Sequence, residues 1–402
     1  MTSTLDKEPP CPVIDAFDPS AARPPGRSLR AELRPFDSIR PEVWDSLVRA
    51  NPWATPFSRW AFHRAWWDAY AASAHDQTFV VVDPRSPDSP PVAIVPLMHR
   101  HMVEPGDAAT HTTMRHGSGA ELTPVAPEAK AVFFGASYHA DYATVLAAPG
   151  DLPAVASAVV DHLATPPRVA GAEPIPWDVV DLRRLRCGDP AADELAIAFG
   201  DREMAAGWTL NVEREDVCPV LTLPDVADFD GYLATLGKKD RHEIRRKVRR
   251  AEAAGEVRLD DSADPQADLE SFIDLHQKRW GADGLFPPTP GGEASRTFFR
   301  RLFELLGPDG TARLTFLTVG ERRIAAGVHL ETDDGYLYFN AGVDPEAREL
   351  SPGVVMVARY IERAIRSSKR RIDFLRGNEP YKYEWGAVDE PIQRLLVRRS
   401  GS

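Results

Sequence analysis

The sequence predicts an α+β protein built from two domains of similar plan. Three observations carry that prediction. At 402 residues the chain is too long for one ordinary hydrophobic core, and typical domain size suggests about two or three units. Helical periodicity alternates with short β-rich runs, and the turns between those runs carry the Gly and charged residues of antiparallel hairpins. The order of helices, hairpin, helix and further strands then starts again near residue 225, without obvious repetition of residues. The expected organisation is a disordered tail over 1–29, a first domain over 30–225 and a second over 226–402.

The tail is rich in Pro, Ala and Ser and lacks the basic and apolar regions of a secretory signal. "SIRPEVWDSLVRANP" reads as a first helix and "TPFSRWAFHRAWWDAYAASA" as a second, with Phe62, Trp66 and Tyr70 on one face. Trp53, Trp60, Trp66 and Trp67 crowd this region and read as core. "QTFVVVD" and "PVAIVPLMHR" are strands joined by a Pro/Ser turn. "SYHADY" places Tyr138, His139, Asp141 and Tyr142 together and reads as a turn, with acceptor recognition as the alternative. Helix "DLPAVASAVVDHLA", strand "WDVVDLRRL" and helix "DPAADELAIAFGDREMAAG" lead to two strands, "WTLNVER" and "CPVLTLP".

In the second half "VADFDGYLATLG" and "KKDRHEIRRKVRRAEAA" are helical, followed by strand "EVRLD". "DLESFIDLHQKRWG" and "SRTFFRRLFELLG" are amphipathic helices. Strands "ARLTFLTV", "IAAGVHLE" and "YLYFNAGV" are separated by turns "GERR" and "TDDG". Helix "GVVMVARYIERAIRSS", strand "RIDFLRG", the segment "EPYKYEWG" and strand "IQRLLVRR" complete the chain.

Composition removes several function classes. Apolar residues at 43% and aromatic ones at 9% fill real cores. No apolar run approaches the ~20 residues that span a bilayer, so no membrane span is expected. Cys11, Cys187 and Cys218 are odd in number and scattered, against a disulfide framework or structural zinc. The histidine clusters at 99–101 and 111–116 lack a completing carboxylate set, so no metal is expected. A reducing cytoplasm is the expected location. With a formal net charge of −12, the chain is a poor candidate for DNA binding.

Within this acidic chain, "GKKDRHEIRRKVRR" is a dense basic run. Leu236, Ile244, Val248 and Ala251 give it an apolar stripe, so it packs on the second domain. Its remaining residues read as a solvated face or as an anion site in which Arg241, Arg245 and Arg246 hold a phosphate. After the third strand of the second half comes "VDPEARELSPG". Pro352 suits a first helical turn, and Gly353 lets a ligand approach the backbone. Free N–H groups at a helix start favour a pyrophosphate.

"VDPEARELSPG" resembles motif A of the GNAT acetyltransferases, and "RIDFLRGNEPYKYEWG" resembles the strand and helix that follow it. With "RHEIRRKVRRAEAAGEV", these stretches are similar to the FemAB-like and cellulose-biosynthesis-D-like branch, in which two GNAT domains sit in tandem. The resemblance implies that each domain is a mostly antiparallel sheet with flanking helices. It implies a donor site at Val343, Arg348, Ser351, Gly353 and Val354 for the pyrophosphate of acetyl-CoA or another acyl-CoA, used as a co-substrate, with no tightly bound cofactor. Ser351 and Pro352 depart from the usual loop, and proline has no N–H to donate, so the cradle is thinner.

Acyl transfer to an amine needs an oriented nucleophile, a proton acceptor and a stabilised oxyanion. The resemblance implies a splayed strand, here the one ending at Asn340 to Val343, whose N–H binds the acyl oxygen. Asp373 or Glu379 is the expected base, and Tyr381 returns a proton to the leaving group. Lys382 neutralises developing charge or a substrate phosphate. Asp373 reads equally as a buried partner of Arg376, and Tyr381 with Trp385 as helix packing. Tyr142 and the three arginines are the expected acceptor or phosphate contacts. The leading expectation is an N-acyltransferase acting on a small-molecule amine or nucleotide-sugar acceptor. The alternatives are a FemAB-like aminoacyltransferase using aminoacyl-tRNA on a cell-wall precursor, and a non-catalytic GNAT scaffold in envelope polysaccharide synthesis. FemAB proteins that bind tRNA often carry a long helical insertion in the second domain; here the basic run leads straight to a strand, so the resemblance implies coenzyme A rather than tRNA.

Overall fold

The computed structural model describes residues 28–86, 88–100, 122–126, 128–164 and 177–399. The expected tail up to residue 27, Cys11, His101 and the histidine cluster at 111–116 lie outside the described residues.

The first half contains β1 (Arg30–Leu33), α1 (Pro41–Ala50), α2 (Trp60–Tyr70), β2 (His75–Asp76), β3 (Phe79–Val82), β4 (Ala93–Val95) and β5 (Leu97–Arg100). It continues with β6 (Ala131–Phe134), β7 (Leu146–Ala147), α3 (Leu152–Ala164), β8 (Val179–Arg186), α4 (Pro190–Gly200), α5 (Glu203–Ala206) and β9 (Trp208–Thr222). The second half contains α6 (Phe229–Thr235), α7 (Lys238–Ala254), β10 (Val257–Asp261), α8 (Pro265–Trp280), α9 (Pro290–Leu306), β11 (Ala312–Val319) and β12 (Arg322–Glu331). There follow β13 (Gly335–Val343), α10 (Pro352–Arg366), β14 (Arg371–Asp373), α11 (Pro380–Tyr383) and β15 (Val388–Arg399).

Helix starts follow capping chemistry. Asp189, Asp228, Asp264 and Thr289 accept first-turn N–H groups of α4, α6, α8 and α9. Pro stands in the first turn of α1, α4, α8, α9 and α10, where its missing N–H costs nothing.

Expected elements divide or join differently at three places. "PVAIVPLMHR" is two strands, because Pro96 cannot donate to a ladder. The chain there leaves a four-stranded sheet (β1-β3-β4-β7) and enters the large one. The helix after β8 breaks into α4 and α5, which ends at Gly207 in the left-handed region (φ 67). "WTLNVER" and "CPVLTLP" are one strand of 15 residues, β9, since the ladder to β15 skips only Glu215 and holds Asp216 and Val217 of "EDV" between them. β1 was not foreseen. Cys187 is disulfide-bonded, against the expectation from cysteine spacing, and Cys218 is free and buried.

The large sheet has the order β10-β11-β12-β13-β14-β9-β15-β8-β6-β5-β2 and passes through both halves. Its ladders are antiparallel except β13–β14 and β6–β8, which occupy matching places in the two halves. Residue 225 falls between β9 and α6, and β15 returns across it to lie between β9 and β8. The mostly antiparallel α+β architecture with flanking helices is thus the observed one.

Successive residues of the central strands feed cores on opposite faces. On one face Leu314, Phe316 and Val328 pack with Phe272 of α8, Phe298 and Phe299 of α9, and Phe62 and Trp66 of α2, so that core spans both halves. On the other, Leu317, Ile324 and Tyr336 pack with Ile244, Val248 and Ala251 of α7 and the buried stripe of α10. A third core lies under α3 and α4.

Candidate functional site

β13 pairs with β12 over most of its length, with a register shift opposite Val328 and His329. Its other edge meets β14 only from Gly335 to Leu337. There β14 ends: the N–H of Phe374 goes to the Pro219 carbonyl at 3.0 Å, and Leu375 turns in the left-handed region (φ 56). The two parallel strands therefore part, leaving the β13 edge beyond Leu337 without β14. Helix α8 crosses β13 so closely at Gly342 that a Cβ there would meet the His276 backbone nitrogen at 2.3 Å. Only glycine permits that crossing.

The parting opens a cleft of about 180 Å³. Tyr338, Phe339, Asn340 and Ala341 of β13 form one wall, and the loop from Phe374 to Lys382 forms another. His276, Arg279 and Trp280 come from the end of α8, and Tyr138, His139 and Asp141 from the first half. The "SYHADY" turn is therefore also a cleft wall.

Lys382 is buried, and its Nζ donates to the carbonyls of Leu375 (3.0 Å), Arg376 (3.0 Å) and Gly377 (2.9 Å). The same ammonium lies 2.9 Å from Glu379 Oε2. Four acceptors exhaust its three protons. The expected role of Lys382 in neutralising substrate charge is corrected on that ground: it positions the loop. Glu379 lines the cleft, with its carboxylate held by that lysine. Tyr381 also lines the cleft, edge-on to Phe374 with centroids 6.2 Å apart. Burial raises its hydroxyl pKa well above that of free tyrosine, so it stays protonated.

Asp373 is buried behind the cleft rather than on it. Its carboxylate accepts from Tyr142 Oη at 2.9 Å and the Leu375 N–H at 2.8 Å, and lies 3.3 Å from Arg371. Burial pushes its pKa up to about 6, against the opposing effects of Arg371 and the two hydrogen bonds. Its expected pairing with Arg376 is corrected to Arg371, since Arg376 faces Asp141 at 3.3 Å. Tyr142, expected at the acceptor, is 3% exposed and donates to Asp373, so it ties the two halves beneath the cleft floor. His139 is buried, hydrogen-bonded through Nε2 to Tyr70 at 2.9 Å and stacked on Phe298. Burial lowers its pKa to about 3, so it is neutral.

The donor loop follows β13. Val343 ends the strand, and Arg348 is exposed on the 3-10 turn Pro345–Leu350. Ser351 takes the left-handed conformation (φ 53, ψ 53). The N–H of Val355 bonds the Ser351 carbonyl at 3.1 Å. Pro352 has no donor, so the first-turn N–H groups of Gly353 and Val354 remain outside the helical ladder. A Cβ on Gly353 would meet nothing within 4 Å, so the space above these donors is open. The residues present thus fit a phosphate-bearing ligand, with two backbone donors rather than three.

The basic helix α7 packs against α10 but does not line the cleft. Arg241 donates to the Ala234 carbonyl (3.2 Å), Arg245 pairs with Asp230 (2.9 Å) and Arg246 with Glu243 (2.6 Å). Each of the three thus has a partner within the protein, and none lines the cleft. Arg250 is the α7 cation at the donor loop, 2.7 Å from Ser351 Oγ. Reading the sequence also missed Arg279 and the Asp141–Arg376 pair. Among the described residues no cluster of side chains could hold a metal ion, and no helix is long and apolar enough to cross a membrane.

Residues 238–383 match the family model described as acetyltransferase (GNAT) domain. In three dimensions the chain is similar to FemX, with 12% identity, 88% of this chain and 96% of that chain covered, and a TM-score of 0.55. A conserved protein of unknown function from Bacteroides thetaiotaomicron is 13% identical over 90% of this chain and 98% of its own, with a TM-score of 0.50. L-PGS from Bacillus licheniformis is 10% identical over 90% and 93%, also with a TM-score of 0.50. At these identities the structures establish a shared fold. No curated protein matches the chain in sequence.

Proposed function

We propose that this chain, whose residues 238–383 form an acyltransferase domain of the GNAT family within a two-domain fold shared with FemX, transfers an acyl group from acyl-CoA to a primary amine. One observation carries the reading. The β13 edge lies open beyond Leu337 beside a cleft, and the strand leads through the 3-10 turn into a helix start with two free backbone donors. A thioester laid in the gap has its phosphates at Gly353 and Val354 and its carbonyl beside the β13 edge.

The chemistry is direct attack. A neutral amine bonds to the thioester carbon, and the carbonyl oxygen takes the negative charge, which a backbone N–H of the open edge stabilises. The new nitrogen gives its proton to Glu379, the cleft carboxylate. The C–S bond then breaks, and the leaving thiolate takes the Tyr381 proton. Lys382 keeps Glu379 and the 375–377 carbonyls in place throughout. Release of free thiol from acetyl-CoA against pools of amines tests the reading. Amine-dependent release that falls with Tyr381→Phe supports it; release independent of amine contradicts it.

A second donor, an aminoacyl-tRNA, is favoured by the exposed Lys238, Lys239 and Arg249 on α7. Charged tRNA that protects α7 from proteolysis, while acetyl-CoA gives no turnover, would establish that donor instead.

A further inference from the structure

The cleft holds three cationic side chains, and two are spent within the protein. Arg376 faces Asp141, and Lys382 is saturated by three carbonyls and Glu379. Arg279 remains. It sits at the cleft wall on the last turn of α8, exposed, with no carboxylate partner among the described residues. Its guanidinium lies over the Trp280 ring, 4.6 Å from the centroid, which restricts its plane while leaving its N–H donors open. Its charge reaches the cleft interior, because it opposes the burial-driven rise in the pKa of both Tyr338 and Tyr381. A guanidinium with a ring on one side and no acid beside it suits a planar or tetrahedral oxyanion.

Position identifies which substrate supplies that anion. The donor loop starts α10, which packs on the sheet face shared with α7. Arg279 ends α8, which packs on the opposite face with α9 and α2. Phosphates held at Gly353 lie on the α10 side. We infer that Arg279 is an acceptor subsite: the amine substrate carries an anionic group, a carboxylate or a phosphate, that this arginine holds while the amine reaches the β13 edge. The inference rests on the acyltransfer reading for the word acceptor, but anion binding at Arg279 stands or falls separately.

Tryptophan emission, followed while inorganic phosphate or acetate replaces chloride at constant ionic strength, tests it on the full chain. A saturable change at millimolar anion is expected, weakened about tenfold or more in Arg279→Gln and retained in Gly353→Glu. The stronger of the two anions indicates the acceptor's group. Trp280→Phe should lose the optical signal while anion-dependent thermal stabilisation persists. No saturable response in the native chain, or an unchanged one in Arg279→Gln, overturns the subsite. Stabilisation by coenzyme A should be the same in Arg279→Gln and the native chain. If it is lost in the variant, the arginine serves the donor and the acceptor assignment is wrong. If coenzyme A never stabilises the native chain while the Arg279 response holds, the acyl-CoA reading fails and the anion subsite remains.

Discussion

At the residue scale the cleft separates side chains that face its interior from side chains that hold those in place. Tyr381 and Glu379 face the cleft, Lys382 lines it with its ammonium turned into the wall, and Asp373 stands behind it. Tyr381→Phe removes only a hydroxyl and is expected to lower kcat by about 10²-fold with little change in KM, as measured by steady-state kinetics. Lys382→Met leaves three carbonyls and a carboxylate without their cation. It should lower both kcat and thermal stability, a double effect that Tyr381→Phe will not show. Asp373 titrates in the opposite sense to most carboxylates. Its pKa is raised from 3.8 to about 6, so the folded state binds its proton more tightly than the unfolded chain does. Its contribution to stability is present below about pH 4 and is lost as pH rises through about 6, a loss of roughly 3 kcal/mol. Asp373→Asn should therefore be more stable relative to the native chain at pH 7 than at pH 4, as read by denaturant melts.

These residues differed in how far local sequence exposed them. The sequence marks Tyr381 and Lys382 of "EPYKYEWG" as candidates, and both line the cleft. That Lys382 turns inward was not legible, because its partners are carbonyls of a loop whose path depends on where β14 stops. Arg279, at the end of "DLESFIDLHQKRWG", carries no local signal of a site. It meets the cleft only because α8 crosses β13 at Gly342, a contact between distant stretches of chain.

At the element scale, the proposed donor site rests on the start of α10. Gly353 is exposed with open space around its missing Cβ, so a larger side chain there costs little folding energy. Gly353→Glu puts a carboxylate where phosphates are expected, and should abolish stabilisation by coenzyme A while leaving the melting temperature of the free protein nearly unchanged. Ser351 pays about 1 kcal/mol or more for its left-handed conformation. Helices and hairpins of the second half were readable because their apolar periodicity and turn residues agree. β9 was read as two strands since "EDV" interrupts its apolar run, and only its pairing with β15 shows why it continues. β1 was passed over because "RAEL" carries too little apolar signal by itself.

At the scale of the whole molecule, β15 makes the two halves one structure. It belongs to the end of the chain but lies between β9 and β8 of the first half. No periodicity announces such a partner, since strand neighbours are chosen by long-range packing. A fragment ending at residue 225 should fail to give sharp amide NMR dispersion, having lost the strand that covers both β8 and β9. Buried histidines set the acid response. His63, His139 and His329 each fall from 6.5 to about 3 through burial. In the pH range between those values the unfolded state binds more protons, so stability falls with acidification. The slope is up to about 4 kcal/mol per pH unit. Asp373 opposes this with about 1.4 kcal/mol per unit between its two values. The histidines win, and denaturant midpoints should drop steeply below about pH 6.

The central claim is that acyl-CoA occupies the gap between β13 and β14. Thermal melting with increasing coenzyme A and acetyl-CoA tests it most directly, because a ligand bound only to the folded state stabilises by mass action. The native chain should melt at progressively higher temperature with either compound, and Gly353→Glu should not. An unchanged melting temperature at millimolar acetyl-CoA, or an equal rise in Gly353→Glu, would contradict the account.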